Sequence, residues 1–295
     1  MLKNTFCHLQ GIGVQTERKL WNAGITTWEQ LAASSPSDVP MPPGRLRLAR
    51  LGLDESFEQM GRRNPLHFHR TLPYDQQWRL FADFRDRTVY LDIETTGTGG
   101  PWDYITTIAL YDGRGISCYV HDDNILQFRE DIEQYGLVVT YNGKSFDLPF
   151  IRRSLHAPME HAHIDLRYVL RSLGYRGGLK GCEKQMGIHR DELDGVDGLF
   201  AVFLWPDFQR TWDRRVLETL LSYNVQDAVN LEHLMVAAYN AKLHETPFHQ
   251  THLLDLPPRP DLPHLPDEGT LTRIRREMAA AYGQFERFDR RGSPS

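Results

Sequence analysis

Four carboxylates and one phenol sit in local settings that suit chemistry on a cation. Asp92 and Glu94 lie in VYLDIETTG, Asp147 in TYNGKSFDLPF, and Tyr223 with Asp227 in LSYNVQDAVN. Asp92 and Glu94 are one residue apart on a predicted strand, so both project from the same face. Val89, Leu91 and Ile93 make that strand apolar around them. Two ionised carboxylates in a partly buried place repel, which raises a pKa. A divalent cation relieves the repulsion, and hard oxygen ligands suit Mg²⁺ or Mn²⁺. A strand end in solvent would carry the same pair with no ion. Asp147 follows a second apolar strand through Asn142, Gly143, Lys144, Ser145 and Phe146, and would open a helix, where capping is an ordinary use of aspartate. Tyr223 and Asp227 stand four apart on a long predicted helix and share a face; alone, such a pair means one surface and one core position. The occurrence of all three elements together points to a cation site.

The elements that must position these residues begin near residue 88. TVYLDIETT reads as a buried strand, ITTIALY as a second, and ISCYV as a third after the turn Asp112-Gly113-Arg114-Gly115. A helix over about 123–135 precedes the apolar strand LVVTYN. Helices follow at FDLPFIRRSLH, RYVLRSLG and LKGCEKQMG, with HIDL a short strand between the first two, and a long helix runs from about 214 to 242. Three antiparallel-type strands followed by alternating helix and strand predict an α/β fold, a mixed sheet with helices on both faces. In front of it, residues 1–35 read as two short helices joined by a tight turn, with Gly24 as a stop and Thr27 with Gln30 as a capping box. Prolines at 36, 40, 42 and 43 precede a basic amphipathic stretch at 45–50. The expected division is a small helical module over 1–60, a linker over 61–84 ending in a short helix, a catalytic body over 85–244, and a Pro/His-rich linker, final helix and tail over 245–295. No internal repeat is visible.

The 40% hydrophobic and 25% charged content is that of an ordinary globular chain. Cys7, Cys118 and Cys182 are odd in number, widely spaced and without a CxxC pair, so neither a disulfide framework nor a zinc site is expected, and a reducing cytoplasm is the natural compartment. MLKNTFCHLQGIG lacks the apolar run of a signal peptide, and no stretch is long enough to span a membrane. A net charge of −5 argues against holding nucleic acid by bulk positive charge. The charge is uneven, however: residues 1–87 carry 12 Lys+Arg against 9 Asp+Glu, and the remainder 22 against 30. An acidic body that gathers cations and a mildly basic front end that meets phosphates would produce this split, as would ordinary surface variation.

The set of motifs resembles the DEDD exonucleases of the ribonuclease H-like superfamily, which includes polymerase proofreading domains. DIETTG is similar to their first motif, YNGKSFD to the second, and Tyr-x-x-x-Asp at 223–227 to the third motif of the tyrosine subclass (DEDDy). The histidine subclass would need His at 222, where this chain has Ser. HIDL, then LKGCEKQMGI, then the Tyr–Asp helix most resembles a bacterial group of predicted exonucleases, over roughly residues 86–240. The resemblance implies a ribonuclease H-like sheet and 3′–5′ exonuclease activity on DNA or RNA, releasing nucleoside 5′-monophosphates. It also implies two ions of Mg²⁺ or Mn²⁺ about 4 Å apart that bracket the scissile phosphate. Asp92 would bridge both, Glu94 and Asp227 would complete one site, Asp147 would serve the second, and Tyr223 would orient the attacking water. Asp165 in HIDL is not required by the motif and reads as structural or as an outer partner. Lys144, Arg152 and Arg153 are phosphate-contact candidates, or solvated helix residues.

At the front end, Leu9-x-Gly11-Ile12-Gly13-x-x-Thr16 resembles the hairpin of a helix-hairpin-helix motif. Gly11 and Gly13 would let the turn approach a phosphate and aim backbone N–H groups at it beside a helix N-terminus; PPGRLRLARL is a loose candidate for a second copy. Two rivals stand beside the exonuclease reading: a non-catalytic nucleic-acid-binding protein on the same scaffold, against which retention of all five site residues counts, and a structure-specific endonuclease of the same superfamily, against which Tyr223 counts.

Overall fold

The computed structural model describes residues 1–190 and 198–289. Its sheet has five strands: β1 (Thr88–Thr95), β2 (Ile105–Tyr111), β3 (Ile116–Val120), β4 (Leu137–Thr140) and β5 (Ala162–Asp165), in the order β3-β2-β1-β4-β5. β1 pairs antiparallel with β2 and parallel with β4, so the expected mixed sheet is present. The described helices are α1 (Val14–Asn22), α2 (Trp28–Ala33), α3 (Pro43–Gly61), α4 (Pro65–Thr71), α5 (Phe81–Phe84), α6 (Phe128–Asp131), α7 (Asp147–Leu155), α8 (Leu166–Ser172), α9 (Gly178–Gln185), α10 (Gly198–Thr211), α11 (Arg214–Leu243) and α12 (Glu268–Asp289). None is long and apolar enough to cross a membrane.

The period-two pattern of β1 decides which helix meets which face. Val89, Leu91 and Ile93 turn one way, into a core with Phe128 of α6 and Leu148 and Ile151 of α7. Tyr90 turns the other way, into a second core with Val225, Ala228 and Val229 of α11. Asp92 and Glu94 continue the Tyr90 face, so they look toward α11. β4 pairs with β1 only as far as Tyr90↔Val139. Asp92 and Glu94 thus lie beyond the carboxyl end of the parallel pair, the place where open α/β sheets form their sites. A register shift between Glu94 and Thr95 ends the regular ladder with β2 at the same point, and such a bulge re-aims the neighbouring side chain.

Helix α11 has 30 residues, about 45 Å at 1.5 Å per residue. It is buried through most of its length, unlike a surface helix with one wet side. Its first half joins α10 and α12 in a third apolar cluster with Phe200, Trp205, Leu220, Tyr223 and Ile274. Its second half receives the N-terminal helices: Tyr239 meets Trp78 and Phe81 at ring distances of 5.5 and 6.1 Å.

The front of the chain forms the two short helices and the Thr27/Gln30 capping box that its residues predict. They are organised by a buried carboxylate: Glu17 accepts from the Thr5 hydroxyl and the Phe6 backbone N–H, each at 2.6 Å, and pairs with buried Arg79 at 2.7 Å. Residues 61–84, expected as a linker, are helical through most of their length and bury Phe68, Trp78, Leu80, Phe81 and Phe84. Their aromatic content, more than their Gly and Pro, decides the outcome, because those rings join the N-terminal core to α11. Residues 245–266 have no regular element, yet Phe248 is buried against Trp21. The helix expected over 123–135 is three short turns, Ile125–Gln127, α6 and Ile132–Gln134. Residues 290–295, the end of the expected tail, lie outside the described residues.

A candidate metal centre

Asp92 and Glu94 from β1 and Asp227 from α11 meet: one carboxylate oxygen from each lies within 4.8 Å of the others. Glu94 and Asp227 are buried, and Asp92 keeps some contact with solvent. Asp147 stands outside that trio but within its electrostatic reach. It is the first residue of α7, after Phe146 at the N-cap, so the capping alternative does not describe it. The backbone N–H groups of Asp147 itself and of Ile93, the residue between Asp92 and Glu94, favour its charged form.

The loop that delivers Asp147 is built tightly. At Gly143 a Cβ would lie 2.2 Å from Thr140 Oγ1, so no larger residue fits, and Asn142 takes φ +68°. Asp165 accepts from the backbone N–H groups of Asn142 (2.7 Å) and Lys144 (3.0 Å), and from Arg167 as N-cap of α8. Its position fits an outer structural role.

The electrostatics are those of a cation site. Burial, then the charges of Asp227, Glu94 and Asp147, push the Asp92 carboxyl well above the usual range; a hydrogen bond from Asn224 Nδ2 at 2.7 Å opposes this. Burial and Asp227 raise Glu94 in the same way, against Lys180 and Arg190. Asp147 is pushed up to about 7, by burial first and by Asp165 and Asp227 in part, with the two N–H groups pulling down. Carboxylates crowded until they resist ionisation supply the oxygen donors that a hard divalent ion takes, with the Arg190 guanidinium on Asp227 and the Asn224 amide on Asp92 standing beside them.

Tyr223 is buried one helical turn before Asp227. Burial, then Asp227 and Glu94, hold its phenol well above its ordinary pKa in the metal-free chain. Lys180 Nζ donates to the Tyr223 oxygen at 2.6 Å and lies 4.4 Å from the ring centroid. With that oxygen already accepting, the phenolic hydrogen is left to be donated elsewhere.

Several participants were not assigned from the sequence. Asn224, next to Tyr223, bonds Asp92. Arg190 donates to Asp227 and grips Glu183 of α9 with two bonds at 2.5 and 2.7 Å. Asn230 Nδ2 holds Glu183 at 2.8 Å, and Gln226 holds Asn230 at 2.9 Å. The i, i+4 spacing of Gln226 and Asn230 was the one readable signal; Arg190 had none. The remaining candidates lie apart from the carboxylates. Lys144 is exposed, its ammonium 4.1 Å from the Tyr74 ring centroid. Arg152 bonds the carbonyls of Pro158 and Met159, and Arg153 that of Gly99. Gly11 (φ +80°) and Gly13 are exposed in the turn before α1, with the Arg45 side chain about 3.7 Å from where a Gly11 Cβ would be. A cavity of about 1090 Å³ lined by Arg62, Arg87, Arg129 and Tyr135 is larger than any other described, but contains none of the five residues.

No curated protein matches the chain. Among solved structures, a family B DNA polymerase from the hyperthermophilic archaeon Pyrobaculum calidifontis is similar at 16% identity and a TM-score of 0.41, over 57% of this chain and 27% of that one. This chain therefore spans little more than a quarter of that polymerase. A family model described as RNase_H superfamily matches residues 89–239. That span runs from the strand carrying Asp92 and Glu94 through the helix carrying Tyr223 and Asp227, and it takes in more than half of the sequence: the chain belongs to the RNase_H superfamily.

Proposed function

We propose that the chain is a metal-dependent 3′–5′ exonuclease that hydrolyses phosphodiester bonds of DNA or RNA and releases nucleoside 5′-monophosphates. The observation that carries this reading is the convergence of Asp92, Glu94 and Asp227 within 4.8 Å, with the neutral Tyr223 phenol one turn from Asp227. Asp92, Glu94 and Asp227 would hold one divalent ion, Mg²⁺ or Mn²⁺, and Asp92 with Asp147 a second. When bound, such ions neutralise charge at the scissile phosphate and lower the pKa of an attacking water. Tyr223 would donate its hydrogen bond to that water or to a phosphate oxygen and set its direction. Lys180 fixes the ring and its oxygen. Gly11 and Gly13, with Arg45, and Lys144 near the start of α7 would meet backbone phosphates away from the cleaved bond, contacts that position a strand without reading sequence.

The test is a comparison of 5′- and 3′-labelled DNA and RNA with Mg²⁺, Mn²⁺ or EDTA. A 5′ label should yield a ladder shortening one nucleotide at a time, and a 3′ label should yield mononucleotide at once, both only with metal. Asp92→Asn should lower the rate by at least about a hundredfold, since it removes the shared ligand while deleting little packing. Cleavage within the chain, or an undiminished rate in a folded Asp92→Asn protein, refutes the reading.

A further inference from the structure

Two tryptophans stand in solvent where the fold has no use for them. Trp102 is 89% exposed and Trp212 76% exposed; a large ring is rarely left so open. Neither exposure comes from a slack segment. Trp102 rides on the loop that follows Glu94, and Asp103 pins that loop by accepting from the backbone N–H groups of Gly99 (2.9 Å) and Gly100 (2.6 Å). A Cβ at Gly97 would lie 2.5 Å from Asp103 Oδ1, so the loop closes on itself and holds the indole outward. Trp212 ends α10 in the left-handed region, at φ +53°. Glycine or asparagine takes that position without cost, whereas a bulky side chain is strained there.

Both rings are anchored to the wall of the carboxylate site. The Thr96 N–H bonds the Tyr104 carbonyl at 3.0 Å and the Tyr104 N–H bonds Thr96 Oγ1 at 3.1 Å, two residues beyond Glu94. The Tyr104 hydroxyl accepts from Trp205 Nε1 at 3.1 Å; Trp205 meets Phe208 at 5.6 Å, and Phe208 meets Trp212 at 5.5 Å. Tyr104, Trp205 and Phe208 pack in the same apolar cluster as Tyr223. A chain of ring contacts therefore runs from the cluster that holds Tyr223 out to Trp212, and the Thr96–Tyr104 bonds tie the Trp102 loop to the same cluster. Cations flank both: Arg153 bonds the Gly99 carbonyl at 3.3 Å, and Arg210 and Arg214, ion-paired with Asp207 at 2.5 Å and Glu218 at 3.4 Å, are exposed on either side of Trp212.

We propose that Trp102 and Trp212 are stacking platforms for unpaired bases, and that the substrate is a single-stranded end of DNA or RNA. This rests on the exonuclease reading and names the substrate class for the same site. An unpaired base offers both of its faces to an indole, while a base inside a duplex has spent them on its neighbours. The flanking arginines would turn from their present partners to the phosphates between such bases. A protein partner covering the same rings is the competing occupant.

The test uses the full chain in EDTA, so that nothing is cleaved, with fluorescein-labelled dT15, rU15 and a blunt DNA hairpin followed by anisotropy. Wild type should bind both single strands more tightly than the hairpin, with quenching of tryptophan fluorescence. Trp102→Ala and Trp212→Ala should each weaken single-strand binding about 5- to 150-fold and leave the hairpin unchanged. Trp102→Phe and Trp212→Tyr should recover most of the loss. Trp212→Gly should bind like Trp212→Ala while melting no lower than wild type, which separates stacking from folding. The salt slope of single-strand binding should be the same in all variants, because stacking releases no counterions. If wild type cleaves with metal but both alanine variants bind strands as wild type does, the platform inference falls and the exonuclease reading stands. Equal loss on strand and hairpin also overturns it. A wild type that neither cleaves nor binds removes both.

Discussion

At the scale of single residues, the site is defined by protons that the fold keeps in place. Burial and the neighbouring carboxylates push the Tyr223 phenol up in the metal-free chain, and its oxygen already accepts from Lys180, which leaves its hydrogen to be donated. Tyr223→Phe should reduce kcat by about tenfold or more while the Mn²⁺ affinity, read by calorimetry without substrate, stays within about twofold. A large loss of affinity would make Tyr223 a ligand. Asp147 gives a pH signature. Its carboxyl titrates near 7 in the folded chain against an ordinary 3.8, so folding favours its protonated form. That advantage is complete below about pH 4 and is lost as pH rises through about 7. The melting temperature of metal-free protein should therefore decline across this window more steeply in wild type than in Asp147→Asn, and Mn²⁺ should recover stability at the upper end by binding the folded state. Identical profiles in the two proteins would place Asp147 in solvent.

At the scale of elements, β1 supplies two carboxylates by alternation, and α11 supplies the phenol and a third carboxylate by its four-residue repeat. Both periods are written in the sequence, so Asp92 with Glu94 and Tyr223 with Asp227 could be paired before any fold was known. The Thr27–Gln30 capping box was legible for the same reason, a fixed spacing with a fixed chemistry. Arg190 was not: its partners lie 7 and 37 residues away, and only the packing of α9 against α11 joins them. Helix α10 was also unread, because Pro206 interrupts its apolar run, and an internal proline usually ends a helix. The Glu183–Arg190–Asp227 chain should behave as one unit. Arg190→Met leaves Glu183 and Asp227 buried without their charged partner, Glu183 keeping only Asn230, and should cost about 3–5 kcal/mol in urea unfolding. Glu183→Gln/Arg190→Met should cost clearly less than the sum of the single changes. Additive losses would mean that the three groups do not act together.

At the scale of the whole molecule, the N-terminal helices and the sheet share one apolar core, from Phe6 and Trp28 through Trp78 and Phe81 to Tyr239 of α11. A chain beginning at residue 84 would strip Trp78 and Phe81 from Tyr239 and should melt far below the full chain or fail to fold; a truncated protein as stable as the full chain would show those contacts to be dispensable. Phosphate contacts at the front are therefore better tested in place. Arg45→Ala should weaken long single strands and reduce their salt slope by about 0.7, as expected for one lost phosphate contact. An unchanged slope would leave the Gly11–Gly13 turn as a connector.

The burial of α11 has a consequence in time. Amide hydrogens in a helix enclosed by three cores exchange with solvent only when the fold opens as a whole. Residues 219–236 should thus be among the slowest-exchanging in the chain, and Tyr223 and Asp227 would keep their positions for as long as the protein stays folded. Any strand that enters the proposed site would therefore come and go past two side chains that hold still while it moves.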